Sequence, residues 1–256
     1  MVIVRVNSPI QIVKNPEILY QSIRKFKGFW KSKGEYYDNF SRDALFSEGH
    51  VYFVDSEESL VKLETKYPYR ETVILPSQLS NISDFCIHQG HIIVLRANGS
   101  LTDVSKNKSS SVDGCEHWSA LKAIGEYIVV SGFSNRLHEN QLFLLDSNLR
   151  LISKIKDHHP QYNTPILHLC ACTFQGQPYL FAGRPYTQID LYSLRDHTLT
   201  QEASMDITER IDYPEIFDIA LLGNEVFVTL VGSVRKLSIH ASTNTNYDDK
   251  NTHISH

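Results

Sequence analysis

Three residues able to bind metal, His168, Cys170 and Cys172, alternate along Ile166-Leu-His-Leu-Cys-Ala-Cys-Thr-Phe174, and alternate residues of an extended chain share a face. Imidazole and thiolate are both zinc ligands. A structural zinc, however, gathers four ligands tetrahedrally, usually from Cys-x2–4-Cys turns, whereas i, i+2 and i+4 on a straight strand spread over more than about 12 Å. These cysteines are therefore read as small buried hydrophobes. His117, two residues after Cys115, has no recognisable ligand spacing to them. His158 and His159 lie in the loop from Asp157 to Pro165, and their imidazoles titrate near neutral pH. No nucleophile, carboxylate pair or Gly-rich phosphate cradle is close by in sequence, so they read as a solvated loop. Asp55-Ser-Glu-Glu58 reads as a charged hairpin turn. Nothing matches a nucleophile elbow, a Walker loop, His-Glu-x-x-His or a calcium loop. The expectation is a chain without catalytic residues, metal or cofactor.

The segment Arg24-Lys-Phe-Lys-Gly-Phe-Trp-Lys-Ser-Lys33, with Tyr36, Tyr37 and Phe40 after it, offers a different chemistry. Arg24, Lys25, Lys27, Lys31 and Lys33 could meet phosphates while Phe26, Phe29 and Trp30 stack on bases, the combination used by single-strand binders. The same groups suit an acidic protein partner. The competing reading puts the three aromatics in a core and the lysines on its wet face. Formal net charge is -4, from 25 basic and 29 acidic residues, so any attraction to nucleic acid would have to be local.

The elements that must carry these residues are strands. The 256 residues are 41% hydrophobic and 21% charged, the composition of a folded chain with a sizeable core. The start lacks the apolar stretch of a signal peptide, and no apolar run approaches the roughly 20 residues of a membrane span. An intracellular location, cytoplasm or nucleus, is the expectation, with the four cysteines kept as thiols. Apolar runs are short, rich in β-branched residues and bounded by Gly, Asn, Asp, Ser and Pro. One phrase recurs five times: strand, Gly-containing turn, strand, polar turn, strand. The turns lie at Gly49, Gly90, Gly125, Gly176 and Gly223, at roughly the period of propeller blades. The third strands align as Ser59–Leu63, Ser100–Val104, Gln141–Leu145, Gln188–Tyr192 and Ser233–Leu237. Fourth strands are clearest at Arg150–Ile155 and Glu71–Leu75, while Lys106–Gly114, with Ser109 to Ser111, reads as an inter-strand loop.

Leu180-Phe-Ala-Gly-Arg184 followed by Gln188-Ile-Asp-Leu-Tyr-Ser-Leu-Arg-Asp196 resembles the second and third strands of a WD40 repeat, with Tyr192-Ser193 where that family places Trp-Asp. The likeness spans roughly residues 44 to 240, and no Trp-Asp dipeptide occurs. It implies an all-β, WD40-like β-propeller, a fold that mostly serves as an interaction platform. The fifth repeat supplies three strands and then enters a polar tail, 241 to 256. Its missing strand is expected from the amino terminus, Met1–Val6 or Ile10–Val13, because pairing first with last closes the ring and removes open edges. Residues 10 to 43 would then hold a degenerate first blade, giving about six, with five or a partner-completed ring as alternatives. The chain reads as one domain, 1–240, acting as a non-catalytic scaffold or adaptor that binds other subunits of a complex through rim loops. Arg24 to Lys33, His158, His159, Arg184 and Tyr186 are the expected contact residues, since exposed aromatic and Arg side chains dominate binding energy. Two rivals stand beside this: an RNA-binding subunit using residues 24–40, and a propeller enzyme with groups at the channel mouth.

Overall fold

A computed structural model describes residues 2–6, 44–55, 58–66, 70–76, 81–157, 165–184, 188–206, 216–222, 225–230 and 233–241. Its strands fall into five antiparallel sheets of four. Blade I contains β2 (Leu45–Ser47), β3 (His50–Val54), β4 (Leu60–Glu64) and β5 (Glu71–Leu75). Blade II contains β6 (Ile82–His88), β7 (His91–Arg96), β8 (Ser100–Asp103) and β9 (Lys108–Ser111). Blade III contains β10 (His117–Ile124), β11 (Tyr127–Ser134), β12 (Glu139–Leu145) and β13 (Leu151–Asp157). Blade IV contains β14 (His168–Phe174), β15 (Gln177–Gly183), β16 (Gln188–Arg195) and β17 (Thr198–Asp206). Blade V contains β18 (Ile216–Leu222), β19 (Glu225–Leu230) and β20 (Ser233–Ala241), and its fourth strand is β1 (Val2–Val6), the start of the chain. β1 runs antiparallel to β20, with Val2 opposite Ala241 and Val6 opposite Leu237. The amino-terminal strand expected to supply the missing fourth strand of the last repeat does so.

Turn chemistry shapes the blades. Glu48-Gly49, Gln89-Gly90 and Gln175-Gly176 each place two consecutive residues at positive φ, the conformation of the tight hairpin turn that suits strand twist. Successive blades touch through their first strands, β2 with β6, β6 with β10, β10 with β14 and β14 with β18. Each junction is filled by apolar side chains. Leu60, Leu75, Phe85 and Val94 pack between blades I and II, and Leu95, Leu101, Trp118, Leu121 and Phe143 between II and III. Leu142, Leu144, Leu169, Leu180 and Tyr192 join III to IV, and Cys170, Cys172, Phe181, Leu191, Ile219 and Val228 join IV to V. Neighbours on both sides explain why β12 is buried along its whole length, where a sheet with one wet face would alternate.

Two expectations are corrected. The described strands make five complete blades, not about six. Once β1 completes the fifth repeat, no described strand is left over for another, and residues 10–43, assigned to the extra blade, lie outside the described residues. The stretch 106–114 is not simply a loop: Lys108–Ser111 is β9, paired with β8 from Ser100↔Ser111 to Asp103↔Lys108. An outermost strand is held by its backbone ladder, so its serines need not carry the apolar alternation by which strands are recognised.

Candidate functional site

A pocket of about 590 Å³ has its mouth on the face where β6 and β10 begin and β11 ends. Its lining comes from four blades: Glu58 in the β3–β4 turn, Asn81 to Ser83 and Ala97 from blade II, His117 to Ser119 with Phe133 and Asn135 from blade III, and Pro165 and Leu167 ahead of β14. The floor is apolar, built on Ile82, Trp118, Phe133 and Leu167. The Trp118 indole stacks tilted on Phe143, 5.1 Å between ring centroids, which fixes it from below.

Hydrogen bonds hold the segments around this floor. Ile166 N–H donates to Asn140 Oδ1 at 2.9 Å, and Ile166 C=O accepts from Ser119 Oγ at 2.5 Å and Ser131 Oγ at 3.3 Å. Ile166, ahead of β14, is thus tied at both of its backbone polar groups. Across the preceding junction, Leu121 N–H donates to Asp84 Oδ2 at 2.6 Å. At the rim, the Asn135 side-chain amide and His117 Nε2 share a hydrogen bond at 2.7 Å. Asn135 N–H donates to Glu116 Oε2 at 2.8 Å. Desolvation pulls the Glu116 carboxyl upward, but the Asn135 N–H, the Ser134 hydroxyl, its own N–H and the Arg136 guanidinium outweigh that and hold it below the usual carboxylate range.

Of the residues expected to contact partners, Arg184 is described, and it does not reach the rim. It is fully buried, and its Nε donates to Asp190 Oδ2 at 3.0 Å inside blade IV. Gln188 Nε2 and Gln201 Nε2 donate to Asp190 Oδ1 at 3.1 and 3.2 Å, so the carboxylate is satisfied by its own blade. Arg184 belongs to the scaffold because the guanidinium's counter-charge lies six residues on, inside the hairpin. Arg24, Lys25, Lys27, Phe29, Trp30, Lys31, Lys33, His158, His159 and Tyr186 lie outside the described residues.

Cys170 and Cys172 pack between blades IV and V, opposite Phe181 and Tyr179 respectively. Burial raises the Cys172 thiol to about 11. Among the described residues no group of three or more His, Cys, Asp and Glu is arranged to hold a metal ion. Tyr192, in the Trp position of the resembled repeat, is buried between blades III and IV, and Ser193 Oγ donates to Glu202 Oε1 at 2.6 Å. The mouth residues Asn81, Ser83, Trp118 and Asn135 are unremarkable in sequence. Their shared signal is position, at the edges of first and second strands, which acquires meaning only when five blades share an axis.

No family model matches the chain, and no curated protein matches it in sequence. Solved structures match in fold. A chain of Chaetomium thermophilum Raptor is 8% identical with a TM-score of 0.54, over 77% of this chain and 19% of that one. A chain in the structure of S. cerevisiae Dbp5 bound to Nup159, Gle1, IP6 and ADP is 10% identical with a TM-score of 0.50, over 78% of this chain and 65% of that one. The β-propeller domain of Myceliophteria thermophila Cps50 (Swd1) is 11% identical with a TM-score of 0.49, over 75% and 67%. The chain thus spans under two thirds of the Dbp5-complex chain and about a fifth of Raptor. The architecture is that of a β-propeller.

Proposed function

We propose that this chain is a non-catalytic scaffold or adaptor subunit of an intracellular assembly, and that it binds partner proteins at the mouth of the pocket. The observation that carries the reading is the chemistry of the mouth. Among the described residues the lining is an apolar aromatic floor ringed by Asn, Ser and His and holds no Lys or Arg, which matches the apolar-centre, polar-rim anatomy of protein interfaces. Phosphate recognition relies on Arg and Lys, so this surface favours protein over RNA. Among the described residues the lining's ionisable groups are one carboxylate and one imidazole, Glu58 and His117, a poor set for acid–base chemistry. One matching structure is of a protein bound to protein partners, which fits the same reading.

Ala97 is exposed at the rim, so Ala97→Trp fills the mouth without entering the core. Affinity capture with the full chain should recover a protein partner that Ala97→Trp loses, while Leu151→Ser, on an outer strand, retains it. Unchanged capture by a folded Ala97→Trp chain, judged by its circular dichroism, overturns the mouth as the docking surface. Capture of RNA that weakens steeply with salt would instead support the 24–40 segment.

A further inference from the structure

We infer that residues 7–43 of this chain dock on the face of blade I that is turned away from blade II, as a second apolar layer. In blade I, Phe46 stands opposite Val51 and Val51 opposite Leu63, while Phe53 stands opposite Val61 and Val61 opposite Val73. Residues paired across strands share a face, so these six apolar side chains form one continuous surface. The opposite side of the sheet packs on blade II through Leu60 and Leu75. Phe53, Val61 and Leu63, at the centre of the surface, are 7%, 3% and 7% exposed, and the described members of their cluster all belong to blade I. A sheet face cannot hide its own centre to that degree, so another layer has to lie on it. Blade V is a poor match for that layer, because its face turned from blade IV carries Ala220, Phe227 and the ion pair of Lys236 with Glu225. Chain connectivity favours 7–43. Residues 76–81, 112–116, 158–167 and 207–215 join the other successive blades, lengths usual for such connections. The connection from β1 in blade V to β2 takes 38 residues, 7–44, and ends on the first strand of the blade that carries the face. Within it Phe26, Phe29 and Trp30 supply the apolar side, and Arg24, Lys25, Lys27, Lys31 and Lys33 the wet one. Aromatics spent in this way are not available to stack on bases, as a single-strand binder requires.

Photo-crosslinking tests the placement. Phe46 and Val73, at the margins of the face, are 70% and 56% exposed, so Phe46→benzoylphenylalanine and Val73→benzoylphenylalanine report what lies beside the face without entering the core. On irradiation of the purified full chain, both should form adducts at monomer mass that peptide mapping places within 7–43. The same probe at Leu151, on the outer strand of blade III, should form none there. In urea, Phe29→Ser combined with Trp30→Ser should lower the unfolding midpoint by about 1 M, while Lys27→Ser combined with Lys31→Ser should leave it unchanged. Adducts joining two copies of the chain would assign the face to self-association and overturn the inference. So would no adduct within 7–43, equal labelling of 7–43 from Leu151, or equal midpoints in the aromatic and lysine variants. The inference does not rest on the pocket, so capture by Ala97→Trp tests that reading separately.

Discussion

Gly99, in the turn between β7 and β8, sits at φ +80, and a Cβ there would stand 2.6 Å from Trp118 Nε1 and 2.7 Å from the Val112 carbonyl oxygen. Both the backbone and the space exclude a side chain. Gly99→Ala should therefore destabilise the chain by about 2–3 kcal/mol, seen as a lower urea midpoint with an unchanged slope, and should disturb the pocket floor because Trp118 must move. The Arg184–Asp190 pair makes a second residue-scale case. Both side chains are fully buried, so removing one partner strands a charge in the interior. Arg184→Met or Asp190→Leu alone should cost about 3–5 kcal/mol, whereas the double variant should recover most of it. Additive losses in that cycle would mean that packing, not charge, is what the pair contributes. Expecting Arg184 at the rim was reasonable from its place at the edge of a hairpin loop. The direction of its side chain is decided by Asp190 and the two glutamines around it, and no local pattern records that.

Among the elements, the hairpin joining β6 to β7 carries a titrating group in an unfavourable place. His88 is buried, opposite His91 across the turn. Desolvation lowers its pKa from 6.5, the His91 and Lys106 charges lower it further, and a hydrogen bond with the Glu126 backbone in blade III only partly opposes them. Asp103, also buried, is shared by His91 at 3.8 Å and Lys106 at 3.6 Å. Because the folded state holds the His88 proton less tightly than the unfolded chain, stability should be full above about pH 6.5 and fall as pH drops through that value toward the lower folded-state pKa. Urea midpoints between pH 8 and pH 5 should show the decline, and His88→Gln should flatten it; an equal slope in both chains would rule out His88 as its source. Elements differ in how plainly the sequence announces them. Gly90 and Gly176 marked their hairpins because positive φ favours glycine there, and β16 was visible because Gln188–Tyr192 aligns with the third strands of the other repeats. β9, made of Lys and Ser, had no such mark, since its backbone pairs while its side chains bury little. The pocket was less legible still: Asn81, His117, Asn135 and Leu167 are separated by up to 86 positions in the chain and converge only through the packing of four blades.

For the whole molecule the deciding contact is the one between the two ends of the chain. Blade V has three strands from the last repeat and a fourth, β1, from residues more than 230 positions earlier, held through five register pairs to β20. Without β1, β20 becomes an open edge whose ladder groups face solvent. Long-range pairing of this kind forms late, since it closes a loop of nearly the whole chain, and it ties the stability of blade V to that of the rest. Deleting residues 1–6 should lower the melting temperature by roughly 4–12 °C, corresponding to about 2–3 kcal/mol at this chain size. It should also expose the β18–β20 hairpins to proteolysis before blades II to IV are cut. A synthetic peptide of residues 1–6 added in trans should restore part of the protection, and the same peptide with a proline at each of positions 3 to 5 should not, because proline cannot supply ladder N–H groups. If the truncated chain melts and digests as the intact one does, β1 is an ornament on blade V and the closure of the propeller must lie elsewhere.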